Sequence, residues 1–324
     1  MRESPIVLPD VVLAKAAVDG DRGRGWADAL PGIVSDLQNM WSLRFGERLE
    51  GGTSAYVARA TTDSGNRAVV KIAVPTAGFL REVHTLDRAD GRGYVRLLAH
   101  DLTRQAMLLE PLGIPMNRVG YSPERQLATL AAVLPQVWAL PLRDRGDEGE
   151  GWAGDPVDKA AGLHQLIAGL WQELDHPCSE RVVTRALEFA ERLSGAFAAV
   201  RAVVVHGDAA TANLLQVPVP RPGAEAGFVF VDPSTFVGDR AYDLGVALRD
   251  WCPELLGGDA PALARGWCRM LASACGADEV TVWQWGYVER VSTGLYVQSL
   301  GGDGRLHLST AEALCDAGPD RWDM

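Results

Sequence analysis

One stretch of this sequence restricts the possible folds more than any other. Residues 203–215 read VVVHGDAATANLL, and residues 228–233 read FVFVDP. Runs of valine and phenylalanine predict buried strands, so the polar residues that follow them lie in loops at strand ends. Asp208 and Asn213 then share one loop, and Asp232 ends the last apolar run. Two carboxylates and an amide placed in this way predict a chemical site rather than a plain connection.

The residue types in this stretch suit phosphoryl transfer to a hydroxyl group. That reaction needs an Asp that orients the hydroxyl and accepts its proton, and oxygen ligands that hold Mg²⁺ against the phosphates. The spacing His-x-Asp-x₄-Asn is that of the kinase catalytic loop. We therefore predict that Asp208 is catalytic with His206 beside it as a scaffold, and that Asn213 and Asp232 bind magnesium. Taken singly, each residue has a plainer interpretation as part of a turn, a cap or a strand end.

Lysine is scarce in this chain, which makes the position of Lys71 informative. Only three of the 31 basic residues are lysines, and Lys71 lies inside the apolar run 68–73. The plainer interpretation is an edge strand that leaves the ammonium in water. In the kinase plan, such a Lys contacts the α- and β-phosphates and pairs with a Glu on the next helix. The apolar spacing of residues 79–86 predicts that helix, with Glu82 on the strip that faces Lys71.

A short turn between two predicted strands has the sequence Gly51-Gly52-Thr53-Ser54. Glycines let backbone N–H groups come close to phosphate oxygens, so these four residues are candidate nucleotide contacts. The turn is neither a Walker loop nor a GxGxxG motif, and most double-glycine turns only connect strands.

The segment Glu110-Pro111-Leu112 predicts the end of one lobe and the start of another. A residue before proline is pushed out of helical geometry, so the backbone here is extended and can hydrogen-bond an adenine edge through residues 110 and 112. Strands with tight turns and two predicted helices, over residues 34–41 and 79–86, precede this segment, and mainly amphipathic helices follow it. We predict an α+β fold with a nucleotide-binding lobe over residues 1–112 and a catalytic, acceptor-binding lobe over residues 113–324.

Five segments together resemble a known group of enzymes. They are GRGYVRLLAHD (91–101), MLLEPLG (107–113), VHGDAATANLL (205–215), VDPSTFVGDRAYDLG (231–245) and, more loosely, residues 282–300. With these segments the chain resembles the aminoglycoside and hydroxyurea antibiotic-resistance kinases, which include the streptomycin 6-phosphotransferases. This group lies within the aminoglycoside phosphotransferase and protein-kinase-like superfamily. The resemblance covers roughly residues 35–300.

The resemblance implies a two-lobed protein-kinase-like fold. The small N-terminal lobe would hold an antiparallel sheet and a helix, the larger C-terminal lobe would be mainly helical, and ATP would bind in the cleft. Asp208 would be the catalytic Asp, Asn213 and Asp232 would bind Mg²⁺, and Asp243 would brace the catalytic loop. The implied cofactors are ATP and Mg²⁺, and the implied reaction phosphorylates a hydroxyl of an aminoglycoside such as streptomycin, which confers antibiotic resistance.

The loop over residues 209–212 departs from the pattern of that group. The group has Leu-His and then small residues after His-Gly-Asp, whereas this chain reads Ala-Ala-Thr-Ala. A smaller loop would admit a larger or differently shaped acceptor. Two alternatives therefore stay open: a kinase for another small hydroxylated molecule, such as another antibiotic, hydroxyurea or a metabolite, and a nucleotide-binding pseudokinase without turnover.

The charge balance bears on the partner of this protein. The formal net charge is -11, which disfavours a general nucleic-acid binder and suits a cationic small-molecule acceptor. Four acidic residues are candidate contacts for such an acceptor: Asp250, Glu254, Asp259 and Glu289. Each of them has the plainer alternative of a solvated charge on a helix face.

Other features of the composition exclude several classes of protein. The sequence has no apolar run of about 18 residues and no signal peptide at its start, so we expect no membrane interaction and a cytoplasmic location. Five cysteines without a CxxC pair predict buried thiols in a reducing compartment. We expect a monomer or a weak dimer.

Overall fold

The computed structural model describes residues 6, 8, 9, 12, 13, 16, 20–50, 54–142, 152–154, 156–196, 202–319 and 322. The chain forms two compact units, residues 1–113 and residues 114–324. The first unit combines a sheet with helices, and the second is mainly helical with two small sheets. This is the α+β class that the sequence predicts.

The first unit is built around one antiparallel sheet. Its elements are α1 (Asp21–Met40), β1 (Leu43–Arg48), β2 (Ala55–Thr62), β3 (Arg67–Ala73), α2 (Phe79–Ala89), β4 (Leu97–Asp101) and β5 (Ala106–Leu109). The strand order is β1-β2-β3-β5-β4, so β3 is the central strand. Lys71 pairs with Val57 of β2 on one side and with Met107 of β5 on the other. The edge-strand interpretation of Lys71 is therefore excluded.

Helix α1 is longer than the sequence pattern predicts. Apolar spacing predicts a helix only over residues 34–41, but α1 begins at Asp21 and contains Pro31. Trp26, Leu30 and Leu37 are buried in one cluster with alternate residues of the central strands. Burial of each large apolar side chain contributes about 1.5–3 kcal/mol, so the three together exceed the cost of roughly 3 kcal/mol for an internal proline, and packing against the sheet outweighs the local preference.

The second unit contains most of the helices. Its elements are α3 (Pro123–Trp138), α4 (Lys159–Glu173), α5 (Glu180–Ala196), β6 (Ala202–Val205), β7 (Leu214–Gln216), β8 (Phe228–Phe230), β9 (Phe236–Asp239), α6 (Arg240–Arg249), α7 (Cys252–Leu256), α8 (Ala260–Cys275), α9 (Glu279–Ser299) and α10 (Arg305–Leu314). Strand β6 pairs with β9, and β7 pairs with β8, both antiparallel. Helix α9 is buried on nearly all sides, from Val282 to Leu295, and forms the centre of this unit.

Polar caps fix where the helices of the second unit begin. The side chains of Ser122, Asp158, Asp239, Asp259 and Asp278 each accept a hydrogen bond from a backbone N–H in the first turn of α3, α4, α6, α8 and α9. Such caps stabilise a helix by about 1 kcal/mol each. The cap on α6 matters most for the site, because this helix carries the residues that hold the catalytic loop.

All five cysteines lie in the described part of the chain and are free thiols. Among the described residues, no helix is long and apolar enough to cross a membrane.

Candidate active site

Strand β6 leads directly into the His-Gly-Asp loop of the second unit. Gly207 has φ +83, a conformation that side chains with a Cβ rarely adopt. A Cβ on this residue would lie 2.3 Å from the backbone oxygen of Ser234. The loop then turns through the 3₁₀ segment Thr211–Asn213 into β7. Only glycine at position 207 lets the catalytic loop approach the segment after β8 this closely.

Asp243 holds the start of this loop from the first turn of α6. Its carboxylate is fully buried and accepts hydrogen bonds from the backbone N–H of His206 at 2.8 Å and of Gly207 at 2.9 Å. The indole N–H of Trp138 donates to it as well, at 2.9 Å. Burial raises the pKa of Asp243, and these donors and the adjacent imidazole oppose that rise. The carboxylate has the loop-bracing position that the family resemblance implies.

His206 uses both ring nitrogens to hold backbone groups. Its Nδ1 accepts from the backbone N–H of Asp208 at 3.1 Å, so the proton lies on Nε2, which donates to the carbonyl of Val231 at 3.0 Å. Burial lowers the pKa of His206 and keeps the ring neutral. Because neither nitrogen is open to an acceptor hydroxyl, His206 acts as a scaffold here and not as a base.

The Asp208 carboxylate is fixed by one hydrogen bond on each oxygen. Asn213 Nδ2 donates to Oδ2 at 2.8 Å and to the Asp208 carbonyl at 3.0 Å. Arg249 Nη2 donates to Oδ1 at 2.6 Å. The Asp208 side chain keeps 36% of its surface exposed, so it can still meet a substrate.

Arg249 belongs to the candidate site, although the sequence patterns do not predict its contact with Asp208. It ends α6 and lies within 3.5 Å of Glu289 and Asp250 as well as Asp208. Burial alone would lower the pKa of Arg249, but these three carboxylates outweigh it and raise the pKa above its usual value. The sequence holds one signal for this contact: Arg249 directly follows the apolar run LGVAL over residues 244–248, which the structure buries. A charge at the end of a buried run needs a partner.

Asn213 and Asp232 come together at one end of the β7–β8 pair. The carbonyl of Asn213 accepts from the N–H of Val231 at 2.9 Å, so Asp232 follows the residue bonded to Asn213. Asp232 is exposed and has φ +55, which Asp and Asn tolerate better than most residues. The Nδ2 contacts of Asn213 leave its Oδ1 as the amide atom that can ligate a cation.

This donor set fits magnesium. Mg²⁺ prefers oxygen ligands and is held by one or two carboxylates plus substrate phosphates rather than by an all-protein cage. Asp232 supplies a carboxylate and Asn213 an amide oxygen. Across the described residues, no group of three His, Cys, Asp or Glu forms a self-contained metal cage.

In the first unit, Lys71 forms an ion pair with Glu82. Lys71 Nζ lies 2.6 Å from Glu82 Oε1, and both side chains are nearly buried. Residues paired across strands share a face of the sheet, so Val57, Val69 and Leu109 lie on the same face as Lys71. Val57 and Val69 are half-buried there. A positioned ammonium beside an apolar surface suits a phosphate group joined to an aromatic base.

The other predicted nucleotide contacts have mixed outcomes. Gly51, Gly52 and Thr53 lie outside the described residues. The carbonyl of Ser54 accepts from the N–H of Val74 at 2.9 Å. The role of these four residues in nucleotide binding stays a prediction.

The linker segment follows β5 and has no regular secondary structure. Glu110 is tied to Arg96 twice: its N–H donates to the Arg96 carbonyl at 3.1 Å, and its Oε1 accepts from the Arg96 N–H at 2.9 Å. Leu112 follows in the same irregular segment. The N–H of Glu110 is therefore used within the first unit.

Three of the four predicted acceptor contacts are already engaged. The prediction for Glu289 is wrong, because its carboxylate is 4% exposed and bonded to Tyr242 and Arg249. Burial acts to raise the pKa of Asp250, but the hydrogen bond with His307 and the positive charge of Arg249 outweigh it and lower the pKa. Asp259 caps α8. Glu254 is exposed on α7, and Asp259 is exposed as well, so both face solvent.

The small residues of the loop over 209–212 are mostly buried. Ala209, Ala210 and Thr211 are buried and only Ala212 is exposed. The small side chains fill the interior at these three positions, so the loop opens no gap there for a larger acceptor.

The catalytic loop in the second unit and the Lys71–Glu82 ion pair in the first unit both have the geometry that is typical of a phosphotransferase. Comparison with known sequences leads to the same conclusion. Residues 46–277 match the phosphotransferase enzyme family. The chain belongs to this family. The matched range contains Lys71, Glu82 and the whole segment from His206 to Asp243.

Individual relatives indicate which members of the family this chain is similar to. The chain is 24% identical to a streptomycin 6-kinase of Streptomyces glaucescens over 294 residues, which cover 90% of this chain and 91% of the relative. It is 28% identical to a hydroxyurea phosphotransferase of Kitasatospora aureofaciens over 253 residues, which cover 76% and 68%. The structure of an amicoumacin kinase in complex with AMP-PNP and Ca²⁺ aligns with a TM-score of 0.55 at 11% identity, covering 90% of this chain and 97% of that one.

These matches confirm three predictions from the sequence. The resemblance to aminoglycoside and hydroxyurea kinases is confirmed. The protein-kinase-like two-part fold is confirmed by the structural neighbours. The protein is an enzyme that transfers a phosphoryl group to a hydroxyl, also as predicted.

Proposed function

We propose that this phosphotransferase uses ATP and Mg²⁺ to phosphorylate a hydroxyl of an aminoglycoside antibiotic of the streptomycin type, and that it thereby confers resistance. The observation that carries the proposal is the Asp208 carboxylate, held by Asn213 and Arg249 beside the exposed Asp232. Support for the acceptor comes from the streptomycin 6-kinase relative, which aligns over nine-tenths of this chain. The net charge of -11 favours attraction of a polycation.

In this proposal Asp208 performs the proton chemistry. Its carboxylate accepts a hydrogen bond from the acceptor hydroxyl, orients the oxygen for in-line attack on the terminal phosphorus of ATP, and takes the proton as the new P–O bond forms and the bond to ADP breaks. Each carboxylate oxygen has two lone-pair sites, and one is used on each by Asn213 or Arg249. A hydroxyl can therefore bind without displacing either residue.

Residues of the first unit bind the nucleotide in this proposal. Lys71, held by Glu82, donates to phosphate oxygens, and Val57 and Val69 contact the adenine ring. Because the Glu110 N–H is bonded to Arg96, the adenine contact expected at residue 110 falls to its carbonyl, with the Leu112 N–H as donor. The Gly51–Ser54 turn remains a proposed phosphate contact.

Asn213 Oδ1 and the Asp232 carboxylate would hold magnesium. When bound, Mg²⁺ offsets negative charge on the phosphates. The amicoumacin kinase that is similar in fold was solved in complex with AMP-PNP and Ca²⁺. This supports the use of a nucleoside triphosphate with a divalent cation. We also infer that the protein works in the cytoplasm, where ATP is available, as a monomer or a weak dimer.

A second candidate is a kinase for a smaller or uncharged hydroxylated molecule. Two observations favour it: the relative named for hydroxyurea is the more identical of the two, at 28% against 24%, and Glu289 is buried against Tyr242 and Arg249 rather than open to a cationic acceptor. A pseudokinase is less favoured, because the phosphate, metal and acceptor positions all carry competent side chains.

The test is a screen for phosphate transfer. The purified enzyme is incubated with ATP, Mg²⁺ and single acceptors (streptomycin, other aminoglycosides, hydroxyurea, macrolides), and a mass increase of one phosphoryl group is read by mass spectrometry. We expect transfer to streptomycin or a close analogue, and a loss of several orders of magnitude in Asp208→Asn with nucleotide binding retained. Transfer to hydroxyurea alone would favour the second candidate, and unchanged turnover in Asp208→Asn would refute the assignment of the site.

A further inference from the structure

A buried line of contacts links helix α9 to the catalytic carboxylate. The hydroxyl of Tyr242 donates to Glu289 Oε1 at 2.7 Å, Glu289 Oε2 lies 3.4 Å from Arg249 Nη1, and Arg249 Nη2 donates to Asp208 Oδ1 at 2.6 Å. We propose that Glu289 is a positioning residue that orients Asp208 through Arg249. The inference rests on the proposed function, because it requires Asp208 to be the group that handles the acceptor hydroxyl.

The burial of Glu289 makes its partners decisive. A buried carboxylate costs several kcal/mol unless it is paired and hydrogen-bonded. Glu289 is nearly fully buried, and its described partners are the Tyr242 phenol and the Arg249 guanidinium. Burial and the adjacent Glu289 raise the pKa of Tyr242, so the phenol keeps its proton and acts as the donor. Glu289 therefore has a fixed orientation and holds one arm of Arg249.

This hold on Arg249 decides how the guanidinium meets Asp208. A guanidinium presents its N–H groups in a rigid fork and tends to bind a carboxylate through two parallel hydrogen bonds. Here Nη1 is directed to Glu289, and only Nη2 bonds to Asp208. The second oxygen of Asp208 is then left to Asn213. Without Glu289, the fork would be free to turn both arms onto Asp208 and displace the Asn213 contact.

The expected consequence is a loss of orientation at Asp208 with no loss of nucleotide affinity. Misplacement of a reacting group by about 1 Å costs on the order of a hundredfold in rate, and removal of a residue that orients a site typically costs about 10- to 100-fold. Glu289→Gln keeps the shape of the side chain but removes the charge that attracts Nη1. We expect it to lower kcat by about 10- to 100-fold while KM for ATP changes by less than about twofold.

A double-mutant cycle with Arg249→Gln tests whether Glu289 acts through Arg249. If it does, Glu289→Gln lowers kcat by less than about threefold once Arg249 is already replaced. The matched control is Glu279→Gln on the same helix, because Glu279 pairs with Arg269 and has no contact with Asp208. This control should keep native kcat. If Glu289→Gln does not fold, Tyr242→Phe takes its place in the cycle and should show a smaller loss of several-fold with the same non-additivity.

The outcomes separate this inference from the proposed function. Near-native turnover in Asp208→Asn would overturn both. If Asp208→Asn is inactive but Glu289→Gln keeps native kcat, or lowers kcat equally with and without Arg249, only the positioning role of Glu289 is overturned. A crystal structure of Glu289→Gln supplies a readout without activity: an unchanged single contact between Arg249 Nη2 and Asp208 overturns the inference, and a two-armed contact supports it.

Discussion

The backbone at Gly207 offers a sharp test of how the catalytic loop is built. In Gly207→Ala the new Cβ would lie 2.3 Å from the Ser234 carbonyl oxygen and 2.8 Å from its carbon, more than about 1 Å inside an ordinary contact. The clash is with backbone, so no side-chain rotation relieves it. The φ of +83 costs an alanine roughly 1–2 kcal/mol, and the shift of the loop adds about 1–3 kcal/mol. We expect a total loss of about 2–5 kcal/mol in the free energy of unfolding.

The same shift should damage catalysis beyond its effect on stability. Gly207 adjoins Asp208, so moving the loop by about 1 Å displaces the carboxylate and should lower kcat about a hundredfold. Gly227→Ala is the matched control in the same unit, because Gly227 has φ +76 but nothing within 4 Å of its added Cβ. That variant should lose only about 1–2 kcal/mol and keep its activity. Urea unfolding and steady-state kinetics of both variants provide the readout, and equal stability losses in the two would refute the argument from the Ser234 contact.

Three further predictions concern the metal, the nucleotide and the pH dependence. Asp232→Asn keeps a residue that tolerates φ +55 but removes the charge. The Mg²⁺ concentration for half-maximal activity should therefore rise about tenfold or more, while the melting temperature stays near native. An unchanged Mg²⁺ titration would contradict the metal role. Lys71→Met should weaken ATP binding about tenfold in calorimetry, whereas equal affinity would show that the Lys71–Glu82 pair is only structural. Burial lowers the pKa of His206, so the unfolded chain takes up the extra proton first as the pH falls below about 6.5. The free energy of unfolding should therefore fall by up to about 1.4 kcal/mol per pH unit in this range. Urea titrations of His206→Gln should show a weaker dependence of this free energy on pH, and an identical dependence would count against a neutral His206.

Local sequence patterns were enough to predict the parts of the site that are close in sequence. Asp208, Asn213 and Asp232 lie next to strand ends within 30 residues of one another, so the apolar and polar runs predict that they lie close together. Lys71 and Glu82 are 11 residues apart, and a strand followed by a helix with a known apolar strip brings them to 2.6 Å. In both cases one turn or one helix face determines the contact, and periodicity encodes such faces directly.

The contacts that the sequence did not predict depend on how helices pack. Arg249 reaches Asp208 across 41 residues and Glu289 across 40, and these contacts need α6 to lie against α9 in one register. Glu289 sits on a helix that is buried all round, so α9 shows no polar face that would mark the position as special. In the sequence, a single acidic residue there cannot be distinguished from a surface charge, so the pattern predicts only an acceptor contact or a solvated charge.

Arg249 in the second unit and Lys71 in the first unit occupy different environments, and each suits the chemistry of its cation. Arg249 lies among three carboxylates, and only a planar fork with several N–H groups can address more than one of them at fixed angles. Lys71 pairs with Glu82 in a nearly buried position on a central strand, and its ammonium is a compact point charge on a flexible stem. In a chain that uses arginine for nearly all its positive charge, a lysine at this position agrees with the point contact to phosphate oxygens that we propose for it. The same reasoning makes exchange of arginine for lysine at position 249, or the reverse at position 71, a non-conservative change.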